Sequence, residues 1–124
     1  MLTTSDLIAF VASSDLARSR AFYEDTLGLP LVEETAFACV FDAHGTQLRV
    51  TAVTEVATPG YTVLGWQVGD IAATIDQLAP RGVPCVRFEG VAQDDRGVWT
   101  TPNGDRVAWF TDPDGNVLSL TQFR

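Results

Sequence analysis

The chain has 124 residues, the length of one ordinary domain, and 46% of them are hydrophobic, enough to bury a modest core. Its 16 acidic and 8 basic residues give a net charge of −8, which argues against nucleic acid and anionic membrane surfaces as partners. The longest apolar run, Leu7–Ala12, is too short to cross a membrane, and the N-terminus lacks the basic start of a secretory signal. Because two cysteines make no disulfide framework, we expect a cytoplasmic protein with reduced thiols.

The first half of the chain predicts a strand, a helix and then more strands. Ile8–Asp15 (IAFVASSD) has the apolar character of a strand, and the Asp15 carboxylate can cap a helix that ends near Gly28. Leu31–Glu34 is a short strand candidate. Phe37–Val53 (FACVFDAHGTQLRVTAV) joins an apolar run, a polar turn with glycine and an alternating run, which indicates a hairpin.

The second half repeats this order. Val63–Asp70 (VLGWQVGD) predicts a strand, and Asp70 can cap a second helix that closes at Gly82. The remaining predicted segments are a strand at Cys85–Phe88, a loop at Glu89–Arg96, strand, turn and strand beginnings at Gly97–Arg106, and a hairpin at Val107–Phe123 (VAWFTDPDGNVLSLTQF).

The two hairpins are related by an internal repeat. Phe37–Val53 and Val107–Phe123 align without a gap at an offset of 70 residues (107 − 37), with identities such as Asp42/Asp112 and Gly45/Gly115. The order β-α-β-β-β therefore occurs twice, in an α+β chain. We expect a single domain over residues 1–124, with module 1 at about 5–54 and module 2 at about 60–124.

Two motifs carry a family resemblance that covers nearly the whole chain. Residues 14–28 (SDLARSRAFYEDTLG) are similar to the first helix of the vicinal oxygen chelate superfamily, and Asp112–Asn116 (DPDGN) resembles its final hairpin turn. That superfamily includes glyoxalase I, bleomycin-resistance proteins, fosfomycin-resistance proteins and extradiol dioxygenases. The resemblance implies a glyoxalase I-like fold, in which two βαβββ modules form curved mixed sheets around a concave cavity, with helices outside. It also implies a homodimer.

Catalytic members of that superfamily hold a divalent metal on the first and last strands of each module. Carried over by spacing, the ligand positions fall on Ile8, Arg49, Val63 and Ser119. Ile and Val have no donor atom, Arg is a fixed cation, and Ser offers only a weak neutral oxygen. No histidine lies in these strands, and the amides of Gln47 and Gln67 on the same faces make a poor site. We therefore expect neither a metal nor another cofactor.

Arg49 is the most informative candidate for ligand binding. By strand alternation it shares a face with Gln47 and Thr51, and the resemblance makes that face the cavity. There the guanidinium could bind a carboxylate or a phosphate. Alternatively, Arg49 lies on a sheet rim and pairs with Glu33 or Glu34.

The resemblance also implies that Cys39 and Trp109, each three residues before a turn aspartate, point into the cavity. Trp109 could stack on a planar ligand or pack in the core. Cys39 is either a nucleophile with a lowered pKa or a small buried apolar residue, and the single histidine, His44, lies in a turn. The full set of ligand-binding candidates is Arg49, Trp109, Phe10, Phe37, Cys39, Gln67, Gln47, Ser119 and Trp99, and the facing of Trp99 and Trp66 stays open.

These residues favour a metal-independent small-molecule binding protein of the glyoxalase/bleomycin-resistance type, with the ligand unknown. The first alternative is a lyase or isomerase of the glyoxalase I type with an atypical site. A second alternative is a partner for another protein chain, which would present large exposed apolar patches.

Overall fold

Each half of the chain folds into a four-stranded sheet with one short helix. The computed structural model describes residues 1–124, which divide into unit 1 (Met1–Ala57) and unit 2 (Thr58–Arg124). Both units have the order β-α-β-β-β, so the predicted α+β class and the two βαβββ modules are confirmed. Neither helix has the length and apolarity that crossing a membrane requires. That residues 1–124 form a single domain stays a prediction.

Unit 1 has a mixed sheet in which one long crossover brings the first strand beside the last. Its elements are β1 (Ile8–Ser13), α1 (Leu16–Arg20), a π-helical turn (Ala21–Thr26), β2 (Leu31–Glu34), β3 (Ala38–Ala43) and β4 (Thr46–Ala52). The strand order is β1-β4-β3-β2, with β1 parallel to β4 and the other pairs antiparallel. As predicted, the Asp15 carboxylate caps α1 by accepting the backbone N–H of Arg18 at 3.1 Å.

The helical segment covers one face of this sheet, which we call the helix face of unit 1. Tyr23 is fully buried and its ring lies 5.9 Å from that of Phe41. Ser19 and Ser13 share a buried hydrogen bond of 2.6 Å between their hydroxyls. Cross-strand pairing puts Leu48 opposite Phe41, so the core of unit 1 lies on this side.

The hairpin between β3 and β4 is one residue shorter than its counterpart in unit 2, so the two hairpins do not match without a gap. Its loop is only His44 and Gly45, which have φ angles of 51° and 93°, the two positive values of a type I′ turn. In unit 2 the corresponding loop spans 112–116, between Thr111 and Val117. As a result Val40 lies opposite Arg49, whereas Trp109 lies opposite Ser119, so the equivalent of Trp109 is Val40 and not Cys39. The chain advances nine residues between the paired positions Val40 and Arg49 (49 − 40) but ten between Trp109 and Ser119 (119 − 109). This one-residue difference reverses which face every β3 side chain occupies.

Unit 2 has the same topology. Its elements are β5 (Leu64–Gln67), α2 (Ile71–Leu78), a 3₁₀ turn (Ala79–Arg81), β6 (Trp99–Thr100), β7 (Arg106–Thr111) and β8 (Val117–Gln122), in the sheet order β5-β8-β7-β6. Asp70 caps α2 through the N–H of Ala73 at 3.0 Å, and Gly82 ends the helical segment in the left-handed region with φ 82°. The Gln122 side chain on β8 accepts the N–H of Ile71 at the start of α2, so it points to the helix side of the sheet. Leu120 and Leu118 share that side by strand alternation, and Phe110 lies opposite Leu118, so these residues form the helix face of unit 2.

The predicted strand at Cys85–Phe88 is wrong, and a side chain explains why the segment is still extended along the sheet. Only one backbone bond joins it to β7, from Val86 N–H to the Trp109 carbonyl at 2.8 Å. The Gln93 amide takes the place of a neighbouring strand: its nitrogen donates to the carbonyls of Val86 and Gly97, and its oxygen accepts the N–H of Phe88. The following loop is as predicted, apart from an isolated bridge between Gln93 and Trp99.

We expect Gln93→Ala to lower the free energy of unfolding by about 2 kcal/mol, because three backbone groups lose their partner together. Urea unfolding followed by circular dichroism measures the change. Gln77→Ala is the matched control, since Gln77 is exposed on α2 and should change stability by less than about 0.5 kcal/mol. Equal stability of the two variants would contradict the role given to the Gln93 amide.

Candidate functional site

The face of unit 1 that points away from α1, called here the arginine face, combines exposed apolar side chains with one cation. Arg49 on β4 lies opposite Phe10 on β1 and Val40 on β3. Phe10 is 62% exposed and Ile8 is 44% exposed, whereas Val40 is buried. The strand pairing therefore places Arg49, Gln47 and Phe10 on one face, as predicted.

The structure also decides between the two surroundings considered for Arg49. Glu34 is bound to Arg20 at 2.6 Å, so it is not the partner of Arg49. The guanidinium Nη1 of Arg49 donates to the Oε1 of Gln47 at 3.1 Å, and no carboxylate pairs with it. Arg49 lies on a central strand of its sheet, half-buried, and not on a rim.

The corresponding face of unit 2, called here the aromatic face, carries a cluster of three rings. Trp99 and Trp109 are stacked, with ring centroids 6.2 Å apart and planes 20° apart. Phe88 meets Trp109 edge to face at 5.2 Å. The indole N–H of Trp109 donates to the hydroxyl of Thr62 at 3.1 Å, which fixes the orientation of the ring. All three rings are half-buried.

A polar notch lies beside this cluster. Ser119 stands between Trp109 on β7 and Gly65 on β5, and only 9% of the residue is exposed. A β-carbon at Gly65 would overlap the Ser119 hydroxyl, so glycine is what leaves room there. The hydroxyl has no side-chain partner within the chain, and Gln67 lies one step along the same face. Sequence reasoning missed Phe88, Thr62 and Gly65, although a glycine inside a strand is itself a signal of close approach.

Cys39 does not belong to either of these faces. It pairs with Val50, is fully buried on the helix face of unit 1, and its sulfur lies 4.0 Å from the carbonyl of Leu16. The expectation that it faces the same way as Arg49 is wrong, because the two-residue turn shifts β3 by one position. Phe37 precedes β3 in a bend, where strand alternation does not fix its facing, and its side chain is 78% exposed.

The surroundings of both thiols raise their pKa. Burial raises the pKa of the Cys39 thiol and the Glu34 carboxylate raises it further, against the opposing effect of Arg20. Burial likewise raises the pKa of Cys85. A raised pKa reduces the thiolate that a nucleophile needs, so the geometry favours the apolar interpretation of Cys39.

His44, Asp94 and Trp66 each have a structural role. His44 forms the tight turn of unit 1 and is exposed. The Asp94 carboxylate accepts the N–H groups of Arg96 and Val98, and the bond from Val98 is the largest cause that lowers the pKa of Asp94. Trp66 lies on the helix face of unit 2, stacked 6.3 Å from Phe110, whereas Trp99 lies on the aromatic face.

The strand registers pair the four positions that hold a metal in catalytic members of the superfamily that the sequence resembles. Ile8 lies opposite Gln47, and Val63 donates its N–H to Val117, so Ile8 and Val63 are equivalent, as are Arg49 and Ser119. None of these side chains supplies an imidazole or a carboxylate. No group of three or more His, Cys, Asp or Glu side chains is arranged to hold a metal ion. The residues at the family positions do not fit the metal, and a metal-free protein stays a prediction.

Comparison with known proteins identifies the class to which this fold and site belong. The family model of the Glyoxalase/Bleomycin resistance protein/Dioxygenase superfamily matches residues 6–120. The chain is a member of that superfamily. The uncharacterized protein YraH of Bacillus subtilis (strain 168) is 28% identical to it over 122 residues, which cover 86% of this chain and 89% of YraH.

Two solved structures share this fold. Lactoylglutathione lyase from Agrobacterium tumefaciens has a TM-score of 0.76 over 98% of this chain and 96% of its own, but at 16% identity it shows the fold alone. TnmS3, an antibiotic binding protein from Streptomyces sp. CB03234, is 25% identical with a TM-score of 0.73, and the match covers 100% of this chain and 99% of TnmS3.

We expect both cysteines to react with a disulfide reagent at pH 8 more than about tenfold slower in the folded protein than in urea, because burial raises both pKa values and occludes Cys39. Absorbance of the released thiol measures the rates, and mass spectrometry assigns them. Cys39→Ala should remove the slowest phase. A fast reaction assigned to Cys39 in the folded protein would revive its role as a nucleophile.

Proposed function

We propose that this protein binds a small molecule without a metal ion, and that a planar part of the ligand stacks on Trp109. The observation that carries the proposal is the aromatic face of unit 2, where Trp99, Trp109 and Phe88 lie side by side and partly exposed. Such rings supply a large apolar contact area at little cost in side-chain entropy. The Ser119 hydroxyl and the Gln67 amide beside them can bind polar groups at the edge of the ligand.

Metal independence is supported by the chemistry of the four family positions. Lewis-acid catalysis needs a cation held by several lone-pair donors, and Ile8, Arg49 and Val63 provide none. The guanidinium of Arg49 would also repel a divalent cation. TnmS3 is an antibiotic binding protein, which agrees with a sequestering role for this chain as well.

The assembly belongs to the same proposal. We infer a cytoplasmic homodimer in which residues 1–124 act as one domain, with a small molecule as the only ligand. Both cysteines are free, which suits a reducing compartment. The acidic net charge disfavours nucleic acid as a competing partner.

We expect chelator-treated protein to bind members of a panel of planar aromatic antibiotics and dyes, measured by quenching of tryptophan fluorescence. Trp109→Leu should weaken binding at least tenfold, because the stacking surface is lost. Trp66→Phe is the matched control, since Trp66 packs on the helix face against Phe110 and should leave affinity unchanged. Elemental analysis of the dialysed protein should find less than one metal per chain.

Two results would overturn this function. One is unchanged affinity of a folded Trp109→Leu variant, or equal loss of affinity in Trp109→Leu and Trp66→Phe when circular dichroism shows both to be folded, because the ligand would then not depend on stacking against Trp109. The other is a stoichiometric metal retained against a mild chelator, together with isomerisation of the methylglyoxal–glutathione adduct that chelation abolishes. That second result would establish the alternative, a lyase of the glyoxalase I type.

A further inference from the structure

Arg49 is a cation whose hydrogen-bonding capacity is largely unused within the chain. It donates one bond, from Nη1 to Gln47 Oε1, and a guanidinium carries several further N–H groups in a planar fork. By contrast Arg20, Arg96 and Arg106 each pair with a carboxylate, at 2.6, 3.0 and 3.9 Å. A chain with twice as many acidic as basic residues has nevertheless left Arg49 without one.

The acidic residues near Arg49 are accounted for. Glu34 lies on the other side of β2 and is bound to Arg20. Asp42 shares the arginine face, opposite Gln47, but its carboxylate accepts the N–H of Gly45 at 2.8 Å in the turn and forms no ion pair with Arg49. Glu33 shares the arginine face opposite Val40, but its backbone lies two strand spacings, about 9–10 Å, from the backbone of Arg49.

On the β1 side the surroundings of the guanidinium are apolar, whereas on the β3 side the buried Val40 is followed on the same face by Asp42. Phe10 and Val40 are the direct cross-strand neighbours of the cation, and Ile8 lies opposite the adjacent Gln47. Exposed Phe10 and Ile8 thus border the half-buried cation. An ionic contact gains strength when apolar groups exclude water from it, so this face pairs one anion site with an adjoining apolar surface.

We propose that the arginine face binds the oxyanion group, carboxylate or phosphate, of a ligand whose body is apolar, through a bidentate contact with Arg49 oriented by Gln47. The net charge of −8 repels simple anions, so the apolar body contributes the contact with Phe10 and Ile8 that retains such a ligand. The proposal rests on the proposed small-molecule binding function and names the ligand class for this face. It uses none of the residues of the aromatic face.

The probe is 8-anilinonaphthalene-1-sulfonate, an oxyanion on an apolar body whose fluorescence rises on binding. We expect Arg49→Gln to weaken its binding at least tenfold and Arg49→Lys to weaken it less. Arg87→Gln is the charge-matched control, since Arg87 is exposed and donates to the backbone carbonyl of Asp95. The affinity of Arg87→Gln for the probe should stay within twofold of that of the unmodified protein. Raising the salt concentration should weaken probe binding to both of these proteins.

Competition in the unmodified protein tests the same inference without a variant. The probe should be displaced at least tenfold more effectively by 4-phenylbutyrate or by phenyl phosphate than by neutral 4-phenylbutanamide. The ratio between the first two anions distinguishes a carboxylate ligand from a phosphate ligand. This arm decides the matter if Arg49→Gln fails to fold, as judged by circular dichroism.

The inference is wrong if Arg49→Gln and Arg87→Gln bind the probe equally, or if the acid and the amide compete equally. It is also wrong if Arg49→Gln changes the oligomeric state in sedimentation while anions show no preference, because Arg49 then pairs with a second copy of the chain. Each of these three results would leave the proposed function standing if the panel of planar aromatic compounds still binds in a Trp109-dependent manner. Failure of that panel together with failure of the probe would overturn both.

Discussion

The register of one hairpin in each unit determines the chemistry of the face that points away from the helix. In unit 1 the positive φ angles of His44 and Gly45 close the chain in two residues and set Val40 opposite Arg49. In unit 2 a longer loop, held by bonds from Asp114 and Asn116 to the Asp112 carboxylate, sets Trp109 opposite Ser119. Because side chains alternate along a strand, the turn decides which residues are available to a ligand and which are buried.

The two faces that result are chemically different, although the units share a topology. The arginine face offers a cation beside exposed apolar side chains, and the aromatic face offers stacked indoles beside a hydroxyl and a notch at Gly65. The four positions that hold the ion in metal-dependent members of the superfamily, here Ile8, Arg49, Val63 and Ser119, carry neither an imidazole nor a carboxylate. The same scaffold hosts many chemistries, and the side chains at the metal positions are the basis on which we propose recognition rather than Lewis-acid catalysis.

The helix faces are devoted to stability, which explains the fate of the cysteine candidate. Cys39, Phe41, Leu48 and Val50 are buried together, and the ring of Tyr23 packs on that of Phe41. A thiol with a raised pKa in this position contributes packing and little reactivity. In unit 2 the Gln93 amide bonds to the backbone on both sides and holds Cys85–Phe88 next to β7, which is what delivers Phe88 to Trp109.

The sequence by itself determined the element order, the Asp15 and Asp70 helix caps, the superfamily and the placement of Arg49 with Gln47 and Phe10. The helix caps and the common facing of Arg49 and Gln47 follow from local physics, namely side-chain capping of free N–H groups and the period-two alternation within a single strand. The superfamily and the grouping with Phe10, which lies on another strand, were instead implied by the resemblance of residues 14–28 and 112–116. Only the tertiary structure decided that Cys39 lies on the helix face, that Trp66 and Trp99 lie on opposite sides of their sheet, and that Glu34 pairs with Arg20. Those outcomes depend on the pairing between strands, which a turn shorter by one residue can reverse without altering any local pattern in the sequence.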